Sequence, residues 1–152
     1  MYPFLLQLHS AVRWLVLLGI LIPLIRAYGA LLRPRPFVRA DRLGISIGTS
    51  ASHLQLLLGM TLYMSSPLVS LFWSAPAAAG RDLLFFGLIH ISGMVASVAL
   101  MSIGSSLAKR AGEDHQKFRA VAIYWTIAVL LILLLIPWPG SPLAARPLWR
   151  SF

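Results

Sequence analysis

Ser52-His53-Leu54-Gln55-Leu56-Leu57-Leu58-Gly59-Met60-Thr61-Leu62-Tyr63 is an apolar run with a histidine and a glutamine set into it. Extended in both directions, it belongs to a mainly apolar segment over 43–64. A helix needs about 20 such residues to cross a bilayer. Three more segments reach that length, over 4–27, 83–107 and 120–136. Two of them also carry one histidine each, His9 and His90. An imidazole inside a membrane needs a physical reason, and the functional reading follows from that reason.

Composition points the same way. Hydrophobic residues make up 59% of the 152-residue chain and charged residues only 11%, and the mean hydropathy is +0.82. A soluble domain carries about 25% charged residues, so the expected class is an all-α integral membrane protein. The expected arrangement is one domain over 1–152, a four-transmembrane-helix, up-down-up-down bundle with short connections. The first apolar run lacks the positive flank and small-residue cleavage pattern of a signal peptide, and is read as a retained helix. Cysteine is absent, which excludes disulfides, thiolate metal sites, iron–sulfur clusters and covalently attached c-type haem.

The net charge of +9 is organised by topology rather than by nucleic acid. Arg26, Arg33, Arg35, Arg39 and Arg42 flank the first connection, and Lys109, Arg110, Lys117 and Arg119 the third. Arg81, Arg146 and Arg150 lie on the opposite side. The positive-inside rule then puts connections one and three in the cytoplasm. Both termini are expected in the periplasm of a bacterium, with the protein in the inner membrane. The second connection, over 65–82, is neutral and holds Pro67, Phe72, Trp73 and Pro76. It is expected in the interface, where tryptophan is favoured. Asp82 is expected at the start of the third span, complementing the helix dipole. Pro137-Trp138-Pro139-Gly140 ends the fourth. Gly48 with Ser52, and Gly93 with Ser97, are small-residue pairs one turn apart that permit close helix packing.

At a rise of 1.5 Å per residue, His9 lies roughly 8 Å, His90 roughly 10 Å and His53 roughly 16 Å in from the periplasmic side. Three imidazoles in one half of a bundle suggest a site. The leading reading is a b-type haem held by two of the three, because bundle cores carry such cofactors. A copper or zinc ion on three imidazoles is a second chemistry. Arg13 shares a helix face with His9 and calls for an anion at that depth. A haem propionate, a lipid phosphate, Asp82 or a carboxylate from a partner subunit each qualifies. Gln55 and Tyr63 are hydrogen-bonding groups that a quinone would use. His115, beside Glu113 and Asp114, is expected to be a solvated loop residue. Nothing resembles a nucleophile–base pair, a phosphate loop or paired catalytic carboxylates.

Several stretches together resemble a family of small four-helix bacterial membrane proteins labelled cytochrome b-like (Bacteroidetes-type). They are Leu8-His9-Ser10-Ala11-Val12-Arg13-Trp14-Leu15-Val16-Leu17 and His53-Leu54-Gln55-Leu56-Leu57-Leu58-Gly59 with Tyr63 and Ser66-Pro67. Ile103-Gly104, Ala108-Lys109-Arg110-Ala111 and Ile136-Pro137-Trp138-Pro139 with Arg146 complete the match. The resemblance spans nearly the whole chain and is most specific around His53 and Trp138. It implies a b-type haem with His9, His53 and His90 as candidate ligands. The family pairs a glutamate with the histidine of the third span, whereas this chain reads Ile89-His90.

The expected function is therefore a small membrane b-type cytochrome-like electron carrier. Electrons would pass one at a time from a membrane donor to a periplasmic acceptor, with Arg13 near a propionate. The alternative is a cofactor-free membrane subunit or scaffold of a larger complex, whose histidines and Arg13 bind partner helices.

Overall fold

The computed structural model describes residues 1–75 and 80–147. Pro76 of the second connection and Arg150 of the basic-residue tally lie outside the described residues. The described residues form five helices and no strand. Helix α1 is Tyr2–Leu32 and α2 is Arg39–Ser65. The short α3 is Pro67–Ser74. Helix α4 is Arg81–Arg110, interrupted by a π-helical turn at Phe85–Ile89. Helix α5 is Asp114–Leu135.

Three helices, α1, α4 and α5, are each long and apolar enough to cross a membrane. Only 39%, 22% and 44% of their most apolar windows are buried. Leu15, Ile25, Leu57, Val95, Leu130 and Leu134 all point outward. Lipid stabilises such a surface and water does not, so the chain is a multi-pass membrane protein. The segment expected as the second span is helical throughout, but it qualifies as a span only together with α3, from which it is bent by 59°. The reason is its polar content: Ser46, Thr49, Ser50, Ser52, His53 and Gln55. Thr49 and Ser52 return their hydroxyl protons to the Ile45 and Gly48 carbonyls at 2.8 Å, which satisfies them without water. The expected charged connection over 109–119 also shrinks, because α4 runs to Arg110 and α5 starts at Asp114.

The four long helices close into a ring: α1 packs on α2 and α5, and α4 packs on α2 and α5. Helices α1 and α2 cross closely at Gly48. Pro23 inside α1 has no N–H, so the Gly19 carbonyl one turn earlier loses its helical partner. Gly48 approaches that carbonyl, and a Cβ there would stand 2.5 Å from the Gly19 oxygen and 2.9 Å from Trp125 Cη2. Ser52, one turn on, is buried against Met101, whose sulfur it reaches at 3.4 Å. Trp125 fills the middle of the ring, fully buried, with Nε1–H donated to the Met101 carbonyl at 3.1 Å.

The basic end is tied across connections one and three. Buried Asp41 accepts from Arg26 at 2.8 Å, from Arg35 at 2.7 Å and from the Val38 N–H at 3.0 Å. The Phe37 N–H donates to Asp114 at 3.0 Å, and the Phe37 and Phe118 rings lie 5.2 Å apart. All nine basic residues counted for these two connections therefore gather at one end.

Candidate functional site at the other end of the bundle

At the opposite end the helices splay around a cavity of about 400 Å³, within the range of roughly 300–1,000 Å³ common for small-molecule sites. Every helix and the segment after α5 contribute to its wall, which is mainly apolar. The polar groups set into it include His9, Arg13, Gln55, His90 and Arg146.

The π-helical turn places His90. The His90 N–H donates to the Phe85 carbonyl, five residues back, and one inserted residue rotates all that follows by about 100°. Two contacts clamp the turn. The Tyr63 hydroxyl donates to the Gly87 carbonyl at 2.8 Å and accepts from Trp73 Nε1 at 2.9 Å. Phe72 of α3 packs on Gly87 so closely that no Cβ fits. Helix α3 is itself started by Ser66, whose hydroxyl oxygen accepts the Val69 N–H, and by Pro67 in its first turn. The His90 ring then sits beside Phe85, with centroids 5.6 Å apart. Its Nδ1 lies 2.8 Å from the Leu135 carbonyl. A carbonyl only accepts, so Nδ1 carries the proton and the neutral ring keeps the Nε2 lone pair for another partner.

His9 faces the same cavity from α1. Its Cε1 lies 3.2 Å from where a Cβ on Gly59 would stand, so the bare glycine makes room for the ring. The Gln55 amide nitrogen donates to the His9 backbone carbonyl at 2.8 Å. His9 Nδ1 and Gln55 Oε1 are buried without a hydrogen-bond partner among the described residues. Such orphaned atoms cost about 1–3 kcal/mol each, so a polar partner at this wall would stabilise it. Arg13 lies one turn along, with Nη2 donating to Ser10 Oγ at 3.3 Å and its guanidinium 5.2 Å from the Trp14 ring centre.

His53 goes elsewhere. It is exposed on the outside of the α2–α4 seam and shares a hydrogen bond of 3.1 Å between Nε2 and Ser102 Oγ. The structure thus brings together two of the three intramembrane histidines, His9 and His90. Among the described residues no three ligand-type side chains converge as a metal group. Gln55 and Tyr63 both line the cavity, but the Tyr63 hydroxyl is committed to Gly87 and Trp73. Asp82, offered by the sequence as an Arg13 partner, pairs instead with Arg146 at 2.8 Å. His115 is exposed, in the first turn of α5 rather than in a loop.

Sequence reasoning missed Arg146 as a cavity residue. The Pro137-Trp138-Pro139-Gly140 turn was the available signal. It reverses the chain, Trp138 Nε1 donates to the Leu133 carbonyl at 2.7 Å, and the Arg146 N–H returns to the Pro137 carbonyl at 3.2 Å. Comparison with protein-family models, with curated proteins and with solved structures finds no match for this chain.

Proposed function

We propose that this chain is a small b-type cytochrome-like electron carrier, with His9 and His90 as the haem ligands and Arg13 as a propionate partner. One observation carries the reading. Two imidazoles from different helices line one apolar cavity, and the Nδ1–H of His90 is already spent on a backbone carbonyl. That bond is how proteins orient an imidazole whose Nε2 binds a metal. The fit extends to the rest of the wall. The orphaned His9 Nδ1 is a group that a metal centre satisfies, and Arg13 on the same wall puts positive charge beside the cavity.

When bound, a haem supplies a one-electron couple that no side chain of this chain offers. The chain's own work is orientation and exclusion. Leu135 holds the His90 ring, Gly59 admits the His9 ring, and Phe86, Met94 and Ile132 keep water from the space between. Arg13 supplies fixed positive charge, which favours the reduced state of a nearby redox centre.

The membrane arrangement belongs to the same proposal. Counting α2 with α3 as one bent span gives four spans, and the nine cations at one end support a cytoplasmic location for that end. The cavity and both termini then face the periplasm of a bacterial inner membrane, within reach of a periplasmic redox partner. The test is a haem-to-protein ratio near one in protein purified from haem-replete cells, with single cysteines at Gly112 and Ser141 labelled from opposite sides. A colourless, well-folded protein overturns the haem reading and leaves the scaffold alternative.

A further inference from the structure

The outer face of α2 carries two polar groups at membrane depth that the bundle does not use. Ser50 and His53 are both exposed, near the middle of the helix. Thr49, Ser52 and Thr61 of the same helix return their hydroxyl protons to carbonyls one turn back. Ser50 makes no hydrogen bond among the described residues, so its hydroxyl is an unmatched donor. His53 is bonded on one side only. Ser102 gives its single proton to the Val98 carbonyl at 2.8 Å, so its oxygen accepts from His53 Nε2–H at 3.1 Å. An imidazole with its proton on Nε2 presents a bare Nδ1 acceptor, and that atom has no partner among the described residues. Lipid tails offer neither donor nor acceptor, and an unmatched polar group among them is costly.

We propose that the outer face of α2 is the contact between two copies of this chain, with Ser50 of each copy donating to His53 Nδ1 of the other. The inference is independent of what fills the cavity, which is lined by the other face of α2, that of Ser52, Gln55 and Gly59. Topology selects a second copy as the occupant. Every copy inserts in the same orientation, set by its charged connections, so a two-fold axis relating two copies runs along the membrane normal. Helix α2 then meets α2 in parallel, and residues meet others of nearly equal depth. The face is also self-complementary. It holds one unmatched donor and one unmatched acceptor three residues apart, and the two-fold pairs them twice. Helical side chains lean toward the N-terminus, so the long His53 ring reaches back toward the level of Ser50. Packing allows the approach. Ser46 and Ser50 are a small-residue pair one turn apart, of the kind that lets two backbones come close, and outward-facing Ile47, Leu54 and Leu57 flank them.

The test uses the full chain in phosphatidylcholine vesicles. The chain has no cysteine, so single cysteines report the contact directly. Leu54→Cys is expected to give a disulfide-linked dimer on oxidation with copper phenanthroline, whereas Leu130→Cys, exposed on α5, is expected to stay monomeric. This arm does not require either polar variant to fold. Association is then read by energy transfer between dyes on Gly112→Cys as the lipid-to-protein ratio is raised. One hydrogen bond between membrane helices is worth a factor of about three, and the two-fold supplies two. Ser50→Ala and His53→Phe should therefore each weaken the dimer roughly tenfold. The double variant should be no weaker than either single one, because all three lack the same bonds. Additive losses in the double variant would mean that the two residues do not pair, and would overturn the proposal. Crosslinking at Leu130→Cys in place of Leu54→Cys, or no energy transfer at any ratio, overturns it as well. His53→Phe is expected to keep the wild-type absorbance spectrum, so a failure here leaves the haem reading standing, and a colourless protein that still crosslinks at Leu54→Cys leaves the dimer standing.

Discussion

Replacing Gly48 with alanine tests the packing that sets the bundle. A Cβ at Gly48 stands 2.5 Å from the Gly19 carbonyl oxygen, short of the 3.4 Å at which ordinary van der Waals contact begins. It also meets the Trp125 ring at 2.9 Å. Neither neighbour can yield. The oxygen is backbone held by α1, and Trp125 is fully buried with its Nε1–H bonded to Met101. Helices α1 and α2 must therefore part by close to an ångström. Overpacking of this kind costs about 1–3 kcal/mol, and the helix propensity gained from glycine to alanine returns up to about 1 kcal/mol. The expected net loss is about 1–2 kcal/mol, a fall in Tm of roughly 2–8 °C for a chain of this size. Gly29→Ala is the control, since nothing lies within 4 Å of a Cβ there. It should be neutral or raise Tm slightly. Thermal unfolding in a mild detergent, followed by helix content, reads both. If Gly48→Ala unfolds with or above Gly29→Ala, the crossing is not as described.

Three further outcomes follow from contacts elsewhere. Asp41→Ala removes the acceptor of two guanidiniums and one backbone N–H; because the Arg26 and Arg35 side chains are 41% and 32% exposed and can relax outward, the cost is about 2–3 kcal/mol rather than the upper end for buried pairs, and a loss below about 0.5 kcal/mol in the same unfolding assay contradicts it. Gly59→Val drives two methyl groups into the His9 ring, whose Cε1 already lies 3.2 Å from the Cβ position, so ligand binding in the cavity should fall at least tenfold with Tm changed far less; unaltered binding would remove His9 from the site. Tyr63→Phe leaves the Gly87 carbonyl and Trp73 Nε1–H without their partner, costing about 1–2 kcal/mol and loosening the π-helical turn, which amide exchange at residues 85–90 would report as faster.

The sequence revealed hydrophobic length and charge asymmetry, because both are properties of composition along the chain. The helices expected at 4–27 and 83–107 sit inside the observed α1 and α4, and the one at 120–136 overruns the end of α5 at Leu135 by one residue. The face of α2 carrying Ser52, Leu56, Gly59 and Tyr63 is the one that meets the cavity. What stayed hidden depends on rotation and return. His53 is one residue beyond Ser52, yet about 100° of helical turn sends it outward to Ser102. The π-helical turn before His90 has no signature in Phe85-Phe86-Gly87-Leu88-Ile89, since it is imposed by Phe72 and Tyr63 from other helices. Arg146 counts as a topological charge until the chain reversal at Pro137 brings it back over the cavity. The Pro23–Gly19–Gly48 arrangement is likewise a relation between helices that one-dimensional spacing does not carry.

The most direct test of the central claim is a reduced-minus-oxidised absorbance spectrum of the purified protein from haem-replete cells, recorded for wild type, His53→Ala, His9→Ala and His90→Ala. Wild type and His53→Ala should show a Soret shift and an α-band, both lost in His9→Ala and His90→Ala while helix content is kept. A colourless wild type, or bands that survive both His9→Ala and His90→Ala, would contradict it.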